Sequence, residues 1–265
     1  MEKQVRFKGV DVNYSDRGEG ACVLLLHGYL ENSEIWEGFS HLIQQKYRVI
    51  IPDLPGHGKS GTWGEIHSMD DLAGSVKAVM DAEGLEKVFL IGHSMGGYVV
   101  MAFAELFPNR LLAYSLFHST CFADNEEKKS NRDREISLVL CGKKRQIILV
   151  NIPKAFSSDN VDLLPTEVER ARRIALNNSD KGIVALLQGM KARPDRTEVL
   201  KNQKLPLLLV GGMKDNYIPV QVFERLVALA PHATVLRLEE SGHMGFIEEP
   251  EKVVGVLDEL MASLN

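Results

Sequence analysis

KVFLIGHSMGGYVVMAFAELF, residues 87–107, is the stretch of this chain that decides the fold. Its first five residues are an apolar β-type run, and the part after Gly96 has the character of a buried helix that ends before Pro108. Gly92, Ser94 and Gly96 stand between them, where a Cβ at either glycine would crowd a sharp turn. The pattern predicts a strand, a strained turn centred on Ser94, and a helix. The alternative interpretation is that Ser94 only caps the helix.

Two later strand-like runs, 205–210 and 233–238, are each followed by a polar residue of interest. Asp215 follows the first run and His243 follows the second. Polar side chains just past the carboxyl ends of parallel strands meet at one edge of a sheet. A serine hydroxyl is a weak nucleophile unless a base activates it, and the base needs an orienting carboxylate. Ser94, Asp215 and His243 are therefore candidates for a catalytic triad, although Asp215 alone is also suited to capping a helix.

Gly-x-Ser-x-Gly on a strand-to-helix turn, followed by Asp and His, resembles the α/β-hydrolase superfamily. The resemblance extends from about Val5 to Leu264 and is interrupted by one insertion. It implies the α/β-hydrolase fold, a mostly parallel eight-stranded sheet flanked by helices, with a helical cap inserted after strand six. It also implies that Ser94 is the nucleophile, His243 the base and Asp215 the acid.

The resemblance implies an oxyanion hole and a substrate pocket beside the triad. The expected donors are the backbone N–H groups of Tyr29, which follows a buried strand, and of Met95, directly after the nucleophile. His57 is expected to be structural, bonding the loop in which it lies. Five side chains are expected to contact substrate: Tyr29, Leu30, His118, Ile218 and Met244.

One alternative concerns the acid. Some relatives take it from the end of the preceding strand, where Asp124 follows the segment 116–120. Asp215 is favoured because it lies directly in the loop before Ile218 and Pro219, whereas Asp124 lies where the insertion begins.

Alternating strands and helices predict one α/β core, 1–120 with 205–265, and a helical cap, 121–204. The predicted cap has 17 Lys and Arg against 12 Asp and Glu, a net charge of +5, and the remainder has 14 against 24, a net charge of −10. Solvated helix faces are the simpler explanation of this asymmetry. The functional explanation is that a basic cap attracts an anionic substrate or an acyl carrier.

Composition narrows the function class further. A net charge of −5 argues against nucleic acid as a partner of the whole molecule. The first residues lack the apolar core of a signal peptide, and the sequence predicts no membrane span. Three widely spaced cysteines favour reduced thiols and a cytoplasmic location. No ligand spacing suggests a metal, and no cofactor is expected.

These features predict a serine hydrolase that cleaves a small or medium carboxylic ester through an acyl-enzyme. Several enzymes would use the same residues: a thioesterase or carrier-protein ester hydrolase, a carbon–carbon bond hydrolase, or a cofactor-free perhydrolase. A hypothesis of another class is a hydrolase-like ligand receptor, in which turnover is incidental.

Overall fold

Eight strands form one sheet in the computed structural model, which describes residues 1–264. They are β1 (Glu2–Phe7), β2 (Val10–Arg17), β3 (Cys22–Leu26), β4 (Arg48–Pro52), β5 (Val88–His93), β6 (Leu111–Phe117), β7 (Leu207–Gly212) and β8 (Thr234–Leu238). Their spatial order is β1-β2-β4-β3-β5-β6-β7-β8. β2 pairs antiparallel with β1 and with β4, and every later pairing is parallel. The mostly parallel eight-stranded sheet is therefore confirmed.

Eleven α-helices are found within the described residues. They are α1 (Glu37–Ile43), α2 (Met69–Ala82), α3 (Met95–Leu106), α4 (Glu126–Leu140), α5 (Lys144–Ala155), α6 (Pro165–Asn177), α7 (Asp180–Ala192), α8 (Thr197–Asn202), α9 (Val220–Leu229), α10 (Gly245–Glu248) and α11 (Pro250–Ser263). α2, α3, α8 and α9 contact one another in succession, and α1 contacts α10 and α11. In residues 1–264, none of these helices combines the length and hydropathy that a bilayer span requires.

The centre of the sheet is buried on both faces, as its sequence predicts. β3 and β5 are buried along their whole length, and α3 is buried from Met95 to Ala104. A strand or helix that is apolar on all sides is stable in water only when neighbours cover it completely. Each Leu or Phe buried here contributes roughly 1.5–3 kcal/mol relative to an exposed side chain. This rigid centre carries the β5–α3 turn.

α4 to α7 lie between β6 and β7 in sequence and pack mainly on one another. α4 contacts α5 and α7, and α5 contacts α6. α8 lies within the stretch 121–204 that the sequence predicts to be the cap, but it contacts α3 and α9 in the layer on the sheet.

α7 is seated directly on the loop that follows β4. A Cβ added to Gly182 would lie 1.8 Å from the carbonyl oxygen of Gly56, and one added to Gly189 would lie 1.7 Å from that of His67. The two glycines are seven residues apart and therefore share one face of the helix. Only glycine allows backbone to approach backbone this closely.

Candidate active site

Ser94 lies on the sharp turn between β5 and α3. Its φ of 51° and ψ of −113° are strained for a residue with a side chain. The Ser94 N–H donates to the carbonyl of Phe117 at 2.9 Å, and the Ser94 carbonyl accepts from Ser119 Oγ at 2.6 Å. A Cβ on Gly92 would lie 2.4 Å from the backbone of Gly96. Hydrogen bonds and close packing therefore hold the strained turn in place.

Asp215 and His243 are hydrogen-bonded, as the order of residues predicts. Nδ1 of His243 lies 2.8 Å from Oδ2 of Asp215. The other carboxylate oxygen accepts the N–H groups of Tyr217 and Ile218 at 2.7 and 2.9 Å. Burial alone would raise the pKa of Asp215, but His243 and His118 outweigh it and hold the pKa well below its usual range. The carboxylate is therefore ionised, and it both fixes its own loop and orients His243.

His118 does not lie on the wall of the cavity that contains Ser94, where a substrate-binding residue was expected. It is completely buried behind Asp215, with Nδ1 3.2 Å from Oδ2 of that residue. Its Nε2 accepts the N–H of Gly245 at 3.2 Å. Burial lowers the pKa of His118 to about 4. The structure thus places a neutral second imidazole against the carboxylate, where it can fix Asp215 but not reach a substrate.

The loop after β3 is held on both sides of the Tyr29 amide. The N–H of Gly28 donates to Glu31 Oε2 at 2.5 Å, and the N–H of Leu30 donates to His57 Nε2 at 3.0 Å. His57 is buried, and burial together with nearby His27 lowers its pKa to about 3. A neutral His57 can accept that N–H, so it connects its own loop to the expected oxyanion loop.

Glu31 and His93 form a buried pair that the sequence does not predict. His93 Nδ1 lies 2.9 Å from Glu31 Oε2, and its Nε2 lies 2.8 Å from the backbone carbonyl of His243. Burial alone would lower the pKa of His93, but the attraction of Glu31 outweighs burial and raises that pKa. Burial alone would raise the pKa of Glu31, but His93 outweighs burial and lowers that pKa. Both ring nitrogens of His93 face oxygen acceptors, a geometry that favours the charged form of the pair. The pair connects the loop after β3, the residue before Ser94 and the loop of His243.

Ser94 and His243 line a cavity of about 570 Å³ between the sheet and α4 and α5. Its volume is that of an ordinary small-molecule site. Four of the five side chains expected to contact substrate line it: Tyr29, Leu30, Ile218 and Met244. The other wall comes from the insertion and is mixed. Its apolar residues are Ile152, Ala155, Phe156, Ala171 and Met190, and its polar residues are Lys128, Asn131, Arg132, Arg134, Glu135, Asn151 and Lys154.

The wall from α4 is anchored by two contacts. Tyr29 Oη donates to Glu135 Oε1 at 3.0 Å, which joins α4 to the loop after β3. Asp124, the alternative acid, is buried and forms ion pairs with Arg132 and, at 2.8 Å, with Arg193. The guanidinium of Arg193 stacks on the ring of Tyr98, 3.9 Å from its centre. Asp124 therefore holds α4 in place through its ion pairs, whereas Asp215 is hydrogen-bonded to His243.

His118, Asp215 and His243 also offer three possible metal-ligand atoms within 4.8 Å of one another. Asp215 already accepts hydrogen bonds from both imidazoles and from two backbone N–H groups. A metal ion would have to displace the protons that join these groups. The donor set therefore suits acid–base chemistry better than metal binding.

A family model described as alpha/beta hydrolase fold matches residues 22–250. The chain therefore belongs to this family of hydrolases. Among curated proteins it is similar to a 2-hydroxy-6-oxononadienedioate/2-hydroxy-6-oxononatrienedioate hydrolase of Paraburkholderia phymatum, at 31% identity over 91% of this chain and 87% of the relative. It is also similar to a pimeloyl-acyl-carrier-protein methyl ester esterase of Aeromonas hydrophila, at 27% identity over 91% of this chain and 95% of the relative.

Solved structures show the same architecture. A thermophilic esterase from Thermogutta terrifontis, with malate bound, superposes with a TM-score of 0.94 at 28% identity, covering 100% of this chain and 99% of the esterase. An enol-lactonase from Burkholderia xenovorans superposes with a TM-score of 0.91 at 18% identity, covering 98% of this chain and all of that one, and supports the fold alone.

Proposed function

We propose that this protein is a serine hydrolase that cleaves a carboxylic ester of small or medium size. The observation that carries the proposal is the convergence of a strained Ser94 and an Asp215-bound His243 on one cavity. The named relatives include an esterase, a methyl ester esterase and a carbon–carbon bond hydrolase, which supports hydrolysis without specifying the bond.

In the proposed reaction, Ser94 attacks the ester carbonyl while His243 accepts its proton. Asp215 keeps Nδ1 of His243 protonated, so that Nε2 is the basic atom, and stabilises the imidazolium. The N–H groups of Tyr29 and Met95 hold the oxyanion, and the amides beside Tyr29 are already fixed by Glu31 and His57. His243 then protonates the leaving alcohol, and water hydrolyses the acyl-enzyme.

α4 to α7 are proposed to act as the cap of this site. α4 and α5 supply one wall of the cavity, so they would limit the size and polarity of substrates. α8 contacts the layer on the sheet and is left out of the proposed cap.

Ser94→Ala tests the proposal. The variant should fold and lose about 10⁶-fold in kcat on short p-nitrophenyl esters, the scale expected when a triad nucleophile is removed. A fluorophosphonate should label the wild type once and should not label the variant. Ser137→Ala, on the exposed side of α4, is the matched control and should keep both properties. Labelling of the Ser94→Ala variant would refute the assignment.

The same assay separates the alternatives. Multiple rapid turnovers support an enzyme, whereas one slow turnover would support the ligand-receptor hypothesis. Matched thioester and vinylogous diketone substrates distinguish a thioesterase and a carbon–carbon bond hydrolase from an esterase.

A further inference from the structure

The basic residues that line the cavity come from two neighbouring inserted helices. On α4, Lys128, Asn131, Arg132 and Glu135 recur every three or four residues and lie on one side of the helix, and Arg134 follows Asn131 by three residues at the edge of that side. On α5, Asn151 and Lys154 are related in the same way. The inserted helices thus bring charged side chains into the cavity beside apolar ones such as Ile152, Phe156 and Met190.

Three of these cations have no acidic partner in the part of the chain that the structure describes: Lys128, Arg134 and Lys154. Several other basic residues of the insertion form ion pairs. Lys129 pairs with Glu126 and Lys144 with Asp180, each at 2.8 Å, and Lys191 of α7 pairs with Asp133 at 2.5 Å. Unpaired cations grouped at one cavity create a local positive potential, which low-dielectric walls strengthen.

The deeper wall adds to this potential. Asp124 is shared by the guanidinium groups of Arg132 and Arg193, so the buried cluster keeps one net positive charge. Two carboxylates line the cavity. Glu31 is paired with His93. Glu135 accepts a hydrogen bond from the Tyr29 hydroxyl, and burial raises its pKa. Positive charge therefore exceeds negative charge around the space in which a substrate would lie.

We infer that the site selects esters that carry a second, ionised carboxylate, which Lys128, Arg134 and Lys154 bind while the reacting ester lies at Ser94. This inference rests on the proposed function for its reaction, but anion binding can be measured without turnover.

Monomethyl adipate and dimethyl adipate are suitable probes because they differ by one charge at nearly equal shape. The Ser94→Ala protein should bind the monomethyl ester at least tenfold more tightly than the dimethyl ester in calorimetry at low salt. High salt should reduce the preference because these cations are partly exposed. When Lys128→Gln, Arg134→Gln and Lys154→Gln are added to the Ser94→Ala protein, the preference should be abolished. The affinity for the dimethyl ester should stay within about twofold of that of the Ser94→Ala protein.

A matched control removes three positive charges elsewhere in the insertion, by Lys129→Gln, Lys143→Gln and Arg145→Gln. These positions do not line the cavity, and the control should keep at least half of the preference. In the active protein, the ratio of kcat/KM for the two esters should follow the same pattern, chiefly through KM. Equal binding of the two esters, or a preference that survives the cavity triple but not the control triple, would overturn the inference. Charge-selective binding without hydrolysis of either ester would support the inference and count against the proposed ester hydrolase.

Discussion

Replacing Glu31 with Gln tests the buried pair that connects the three loops of the site. Glu31 accepts from Gly28 N–H at 2.5 Å and from His93 Nδ1 at 2.9 Å, both in the buried interior. Hydrogen bonds to a charged group contribute about 1.5–3 kcal/mol each, and removal of one partner of a buried ion pair costs about 3–5 kcal/mol. Glu31→Gln should therefore lower the free energy of unfolding by about 3–5 kcal/mol near pH 6. For a chain of this size, that corresponds to roughly 6–20 °C in Tm.

The loss should depend on pH in a defined direction. Because the folded-state pKa of His93 is raised, its contribution is complete below about 6.5 and is lost as the pH rises through the folded value. Because the folded-state pKa of Glu31 is lowered, its contribution is complete above about 4.5 and is lost as the pH falls through the folded value. The difference between wild type and variant should therefore be largest between about pH 4.5 and 6.5 and smaller at pH 9.

Urea unfolding followed by tryptophan fluorescence is the appropriate assay, since the Trp36 ring lies 6.2 Å from that of His93. Glu34→Gln is the control because its ion pair with Arg173, at 3.2 Å, is exposed; such a pair contributes about 0–1 kcal/mol. A loss below about 1 kcal/mol at pH 6, or a larger loss at pH 9 than at pH 6, would refute the assignment of a charged pair.

Two further predictions concern the acid of the proposed triad and the close contact of α7 with the loop after β4. Asp215→Asn should lower kcat by about 10⁴-fold. Asp124→Asn should keep most of kcat and instead destabilise the fold by about 3–5 kcal/mol, because two buried guanidinium groups lose their shared carboxylate. The reverse pattern in steady-state kinetics and urea unfolding would exchange the roles of the two residues. Gly189→Ala should lower the free energy of unfolding by about 1–3 kcal/mol, because its Cβ would clash with the backbone carbonyl of His67. Gly255→Ala in α11, where a Cβ has open space, should be neutral or raise that free energy by up to about 1 kcal/mol. Thermal unfolding of both glycine variants checks this, and equal Tm values would contradict the close contact.

The sheet and the meeting of Asp215 with His243 could be predicted because local patterns specify them. Apolar runs of strand length mark β3, β5 and β7, and the polar residues after β7 and β8 mark the edge at which the candidate site lies. The Ser94 turn has a distinctive signature because glycine at positions 92 and 96 is sterically required.

Other features depend on contacts between distant segments and leave little local signal. His118 follows β6 at a plausible site position, but only the folded chain shows that its ring lies behind Asp215. Glu31 and His93 are 62 residues apart, and nothing in either segment indicates the other. The one local sign is that Glu31, a charged residue, follows the largely apolar residues 22–30, and this sign does not identify His93 as its partner.

The close backbone contact that Gly182 and Gly189 of α7 make has a consequence for the redesign of such a hydrolase. Because Gly182 and Gly189 bring the helix backbone against the carbonyls of Gly56 and His67, this contact tolerates little change in sequence. α4 and α5, which provide the charged wall, are joined by a short turn and expose much of their surface. A library that varies only these two helices would therefore explore new substrate preferences on a scaffold in which α7 keeps its position.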